Sequence, residues 1–150
     1  MARPTPLDPD FAQRVRDSFG RQPFMRTIGA ELTDVAPGRC TIELPFREDL
    51  CQQHGFLHAG VTGTLADNAA GYAAYSLMPA DSSVLTIEFK MNLLAPAVGE
   101  RLIARAEVKR SGKTITVVQA EVSAVKEGHE KPVAMMQATM MCLHNAPDRP

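Results

Sequence analysis

Tryptophan is missing from this 150-residue chain, cysteine occurs only three times, and neither sign of charge dominates. Cys40, Cys51 and Cys142 are an odd set at unrelated spacings with no Cys-x-x-Cys pair, so they are read as reduced thiols in a reducing compartment rather than a disulfide framework. Sixteen basic against seventeen acidic residues leave no electrostatic footprint for nucleic acid or an anionic membrane. No apolar run reaches transmembrane length, and the opening MARPTPLDPD has no apolar signal core, which makes a cytoplasmic protein the expectation. A Gly-x-Ser-x-Gly elbow is lacking, which disfavours a serine hydrolase. His54, His129 and His144 do not have the spacing of a metal site, and no metal is expected. Without repeats, low-complexity tracts or linkers, residues 1–150 read as one domain, with 1–24 an N-terminal helical extension and 145–150 a tail.

What the chain does have is the stretch from Ala59 to Met78, AGVTGTLADNAAGYAAYSLM, in which small and apolar residues surround a single charge, Asp67. Ala, Leu and Met, with no proline before Pro79, predict a helix of about five turns. Apolar residues fall on every side of it, so it should be buried, and its glycines and alanines let other backbone approach closely. A carboxylate in such a segment is costly to bury unless it is hydrogen-bonded or used in chemistry. His58 stands immediately before it.

Around this helix the patterning changes. Asp8-Pro9 is a helix start, predicting a short helix to about Phe19 that ends at Gly20. Extended segments follow over roughly 25–35 and 39–46, joined by the turn Ala36-Pro37-Gly38, and an irregular segment leads to His58. Beyond Pro79 the period becomes two. Leu85, Ile87, Phe89, Met91 and Leu93 share one parity while Thr86, Glu88, Lys90 and Asn92 share the other, predicting a half-buried strand. Leu102 to Val108 and Val118 to Ala124 repeat the alternation, separated by the turn Ser111-Gly112-Lys113, and a last strand is expected from about Val133 to Leu143. Extended segments, one buried helix and a run of strands joined by short turns give an α+β fold with a mostly antiparallel sheet curled round the helix.

Gln52 to Met78, followed by Ser83 to Ala97, resembles the hotdog-fold thioesterases of the phenylacetic acid degradation type, the PaaI-like family, and the resemblance extends from about Gly29 to Leu143. Its most specific part is a His-Gly-Gly sequence followed by an Asp in the helix, present here as His58-Ala59-Gly60 with Asp67. The resemblance implies acyl-CoA hydrolysis with no cofactor beyond the coenzyme A of the substrate. By the same resemblance the Ala59 N–H polarises the thioester carbonyl, and Asp67 serves as general base or nucleophile. Gln52 stands where the family has an Asn that orients water or substrate, and Thr86 where related enzymes place a Ser or Thr near the carboxylate. Strand parity sets Thr86 on the polar face, against that role. His58 is expected to position rather than to transfer protons. Gly60, Phe56, Tyr72 and Tyr75 are candidate substrate contacts, and Arg110 and Lys113 are candidate contacts to coenzyme A phosphates.

The chemistry also stands on the residues alone. A helix N-terminus offers unpaired N–H groups to a developing oxyanion, and a desolvated aspartate is a stronger base than a free one. Ala59 and Asp67 are eight residues apart, about 12 Å along a helix, so one carbonyl cannot touch both. If both serve one reaction, they come from two copies of the chain, as in a two-fold dimer with interfacial sites. The resemblance implies the same, as a dimer or a dimer of dimers. Two other readings use this fold: an acyl thioester hydratase or dehydratase, whose usual local motif is not seen here, and a non-catalytic acyl-CoA sensor or scaffold.

Overall fold

The computed structural model describes residues 4–148. Its elements, in chain order, are α1 (Phe11–Gly20), α2 (Pro23–Ile28), β1 (Glu31–Ala36), β2 (Arg39–Pro45), α3 (Ala59–Tyr75), β3 (Ser83–Leu93), β4 (Arg101–Ser111), β5 (Ile115–Lys126) and β6 (His129–Leu143). The six strands form one antiparallel sheet in the order β1-β2-β4-β5-β6-β3. It curls round α3, which packs against β2, β4 and β5 in the middle and against β3 and β6 at one side. The fit depends on small side chains: Ala66, Ala69, Ala70, Ala73 and Ala74 of α3 are buried against Ile42, Leu102, Ala104, Val118 and Val122 of the sheet. Among the described residues no helix is long and apolar enough to cross a membrane.

The α+β layout agrees with the sequence reading, and three local details correct it. Residues 25–28, expected to be extended, belong to the short helix α2. Pro23 begins it at a position where a missing N–H costs nothing, and Gly29 ends it in the left-handed region (φ 80°) that glycine adopts without strain. Helix α1 begins at Phe11, because the Asp8 carboxylate takes the Asp10 N–H (2.9 Å) in a turn ahead of it and also pairs with Arg14 (2.9 Å). Helix α3 stops at Tyr75 rather than Met78, its end held by Arg14, which donates to the carbonyls of Tyr75 (3.1 Å) and Met78 (2.7 Å).

The largest departure is β3. Parity predicts one buried apolar face, yet Leu85, Ile87, Phe89 and Leu93 are 55, 53, 49 and 57% exposed. β3 is the outer strand beside β6, with its other edge unpaired among the described residues. Its register also breaks: Thr86 faces Met140 but Glu88 faces Thr139, leaving Ile87 as the extra residue of a β-bulge. Thr86 before the bulge and Met91 after it both reach α3, although they are of opposite parity.

Candidate active site

The start of α3 is built around His58. Its backbone is extended (φ −63°, ψ 141°), and its Nδ1 accepts the Gly60 N–H at 2.8 Å, so the imidazole is the helix N-cap. The His58 carbonyl accepts from Val61 (2.9 Å) and Thr62 (3.2 Å). Of the four N–H groups in the first turn, three are thereby occupied, and that of Ala59 has no partner among the described residues. This leaves one donor, at the positive end of a 17-residue helix dipole, for an incoming oxygen. Alanine in place of the family's glycine is accommodated, since among the described non-glycine residues positive φ is confined to Glu127 and Asn145. With Nδ1 acting as acceptor, the neutral ring carries its proton on Nε2.

The Ala59 end opens into a cleft of about 370 Å³ lined by Gln52, Phe56, Thr62, Leu93 and Leu94 among others. Gln52 is tied into the preceding loop: its backbone N–H donates to the Phe56 carbonyl (2.8 Å), and its side-chain oxygen accepts from the His54 N–H. Its amide oxygen is thus occupied, while its NH₂ is left to the cleft.

Asp67 lies two turns further along, in a different cleft of about 450 Å³ bounded by α3, the start of β3 and the α1–α2 turn. Thr86 Oγ1 donates to Asp67 Oδ1 at 2.8 Å. The parity argument against Thr86 therefore fails, because the bulge at Ile87 decouples Thr86 from Glu88 and Lys90. Burial pushes the Asp67 carboxyl above its ordinary value of 3.8, and the Thr86 hydrogen bond, which favours the ionised form, pulls against that shift. The result is a fixed carboxylate with one oxygen engaged and Oδ2 unengaged among the described residues.

The remaining candidates are distributed unevenly. Tyr72 borders the Asp67 cleft, buried, with its hydroxyl held by Gln22 Nε2 (2.6 Å) and Ser18 (3.1 Å). Tyr75 borders neither cleft: its ring lies under the Arg14 guanidinium (4.2 Å) and its hydroxyl donates to the Ser82 carbonyl. Gly60 is at the helix start with its N–H committed to His58. Arg110 and Lys113 are on the exposed β4–β5 hairpin, and neither lines the Asp67 or the Ala59 cleft. Cys40 is no nucleophile, its thiol pushed up to about 12 by burial and by Asp34. Among the described residues no three His, Cys, Asp or Glu side chains gather as metal ligands would. Sequence reasoning missed Ser18, Gln22 and Asn68, which join α1, its turn and α3 at the far end of the Asp67 cleft; no spacing in the chain marks them.

Residues 54–130 match the Thioesterase superfamily. The crystal structure of a thioesterase family protein from Silicibacter pomeroyi is 51% identical, with a TM-score of 0.88 over 89% of this chain and 98% of that one. The 1,4-dihydroxy-2-naphthoyl-CoA hydrolase of Listeria monocytogenes is 32% identical over 100 residues, 67% of this chain and 81% of that protein. The PaaI protein of E. coli, at 20% identity, shares the fold, with a TM-score of 0.82 over 94% of this chain and 99% of that one. With its central helix wrapped by a six-stranded sheet, the chain belongs to the thioesterase superfamily, has the hotdog fold and is a thioester hydrolase.

Proposed function

We propose that the protein is an acyl-CoA thioesterase that works as a homodimer, each active site combining Asp67 of one subunit with Ala59 of the other. One observation carries this reading: the two halves of the chemistry occupy separate clefts in one chain, at opposite ends of an unpaired edge strand. Thr86, beside Asp67, is near the start of β3, and Leu93, beside Ala59, is at its end. Antiparallel pairing of β3 with a second copy about a two-fold axis near its middle sets the Asp67 end of each chain against the Ala59 end of the other. It also pairs the strand that carries the exposed Leu85, Ile87, Phe89 and Leu93, an apolar edge otherwise open to water.

In this site the thioester carbonyl accepts the hydrogen bond of Ala59 N–H of the partner subunit, and the ionised Asp67 takes a proton from water at Oδ2. The hydroxide adds to the carbonyl carbon, and the negative charge collects on the oxygen at the helix N-terminus. Collapse breaks the carbon–sulfur bond, and the proton held by Asp67 passes to the departing thiolate of coenzyme A. The acid and the thiol are released, and the carboxylate is restored. A carboxylate and a backbone N–H suffice for these steps, so the reaction needs no metal or redox cofactor. Label found in Asp67 after a single turnover in ¹⁸O-water would show water attacking the aspartyl carbon of a mixed anhydride, and so make Asp67 the nucleophile rather than the base.

The reading is tested by thiol release from a panel of aromatic, short, medium and long acyl-CoA esters. Turnover of at least one group well above the solvent rate supports it. Tight binding without thiol release would identify a sensor instead, and water addition to an enoyl ester a hydratase.

A further inference from the structure

Beyond Asp67 the cleft runs along α3 to Gly71, and one wall of it carries a polar group that the chemistry of hydrolysis does not use. The space beside Gly71 is empty: a side-chain carbon built there would meet no atom within 4 Å. One turn of α3, about 6 Å of axis, separates Asp67 from Gly71, enough for a short acyl chain. On the adjacent stripe of α3 stand Asn68 and Tyr72, and against both, from the α1–α2 turn, Gln22. Gln22 Nε2 spends both of its hydrogens, on Asn68 Oδ1 (2.9 Å) and on the Tyr72 hydroxyl (2.6 Å). Asn68 Nδ2 gives one hydrogen to the Thr64 carbonyl (3.3 Å). Two capacities are left over among the described residues: an acceptor, Gln22 Oε1, and a donor, the second hydrogen of Asn68 Nδ2.

We propose that Gln22 is a specificity-determining residue, which with Asn68 forms a polar wall of the acyl cleft and selects acyl groups bearing a hydroxyl on the chain that follows the thioester carbonyl along α3 towards the room left at Gly71. The proposal rests on the thioesterase reading above. A hydroxyl is both donor and acceptor, so one group can give its hydrogen to Gln22 Oε1 and take one from Asn68 Nδ2. An acyl chain of the same length ending in methyl leaves both amides without water or partner, which is where discrimination arises.

The test compares kcat/KM for hexanoyl-CoA, 6-hydroxyhexanoyl-CoA and acetyl-CoA. The wild-type protein should favour the hydroxylated ester over hexanoyl-CoA by about tenfold, and Gln22→Leu should lower that ratio at least about fivefold. A merely structural Gln22 would lower both rates and leave their ratio alone. Gly71→Leu, in a helix position that leucine suits better than glycine, should lower the ratio of 6-hydroxyhexanoyl-CoA to acetyl-CoA at least about tenfold. No preference in the wild type, or either ratio unmoved by its variant, overturns the proposal while leaving the thioesterase reading intact. If none of these esters nor any of the wider panel is hydrolysed, both fall together.

Discussion

At the Ala59 end of α3 the proposed reacting group belongs to the main chain, and at the Asp67 end to a side chain, and the two are held in place by different means. The Ala59 N–H is aimed by helix geometry, and His58 keeps it free by capping the neighbouring Gly60 N–H. Almost any residue other than proline could stand at 59 and supply the same donor. Asp67 depends on its own identity and on a tertiary contact, the hydroxyl of Thr86 across the gap between α3 and β3. Its burial also works against folding, since the unfolded chain ionises the carboxyl at lower pH than the native protein does. One half-site is therefore robust to side-chain change and the other is not, and each can be broken separately.

The largest effect should come from Asp67→Asn, which keeps the shape and removes the base, lowering kcat by between about 10² and 10⁴. The same variant should melt at a higher temperature than the wild type at neutral pH, because it no longer ionises a buried carboxyl. That gain should close as pH falls from the raised native value of Asp67 to below the ordinary carboxylate range, where both states of the wild type are protonated. Thermal melts between pH 3 and pH 8 measure it. Near-normal turnover by a folded Asp67→Asn protein would remove Asp67 from the mechanism.

Ala59→Pro comes next, with a loss of about 10² to 10³ in kcat, the scale for one oxyanion donor. The helix should persist, since proline suits its first position and His58 already has the extended backbone that a following proline demands. Ala59→Ser, which retains the N–H, should stay within a few-fold of wild type. Equal damage from both would mean that the side chain at 59 matters and the donor does not.

Smaller effects should follow from the supporting residues. Thr86→Val removes the hydrogen bond that favours ionised Asp67, so the acid limb of the pH–rate profile, expected above the free-aspartate position in the wild type, should move to still higher pH. An unmoved limb would detach Thr86 from the base. His58→Ala should cost about 1 kcal/mol of stability through the lost cap, with activity within roughly tenfold, whereas His58→Asn should restore most of the stability. Loss of activity in both, with stability preserved, would instead give the imidazole a chemical role.

Much of this could be read from the chain, and the gaps have physical causes. Helix α3 and the alternation in β4 and β5 were legible because local composition and periodicity carry them; Leu102, Ala104, Val118, Ala120 and Val122 are all buried as their parity requires. Asp67 stood out as the lone charge in an apolar helix. β3 misled because its bulge arises from its pairing with β6 and divides residues of one parity between two faces, so that Met91 reaches α3 while Leu85 and Ile87 stay open to water. Helix α2 carried its signals, Pro23 at the start and Gly29 at the end, but six residues are too few to show a period. Gln22, Asn68 and Ser18 come together only in three dimensions, across 46 or more residues, which no spacing rule detects.

The central claim is that each active site is shared between two chains, and subunit mixing tests it most directly. Ala59→Pro and Asp67→Asn homodimers should each be nearly inactive. In a heterodimer with shared sites, one site carries both lesions and the other carries neither. Random exchange of equal amounts, with heterodimers confirmed by native mass spectrometry, should therefore restore activity to about a quarter of the wild-type sites. If confirmed heterodimers remain as inactive as their parents, Ala59 and Asp67 do not meet across a subunit interface, and the shared site is contradicted.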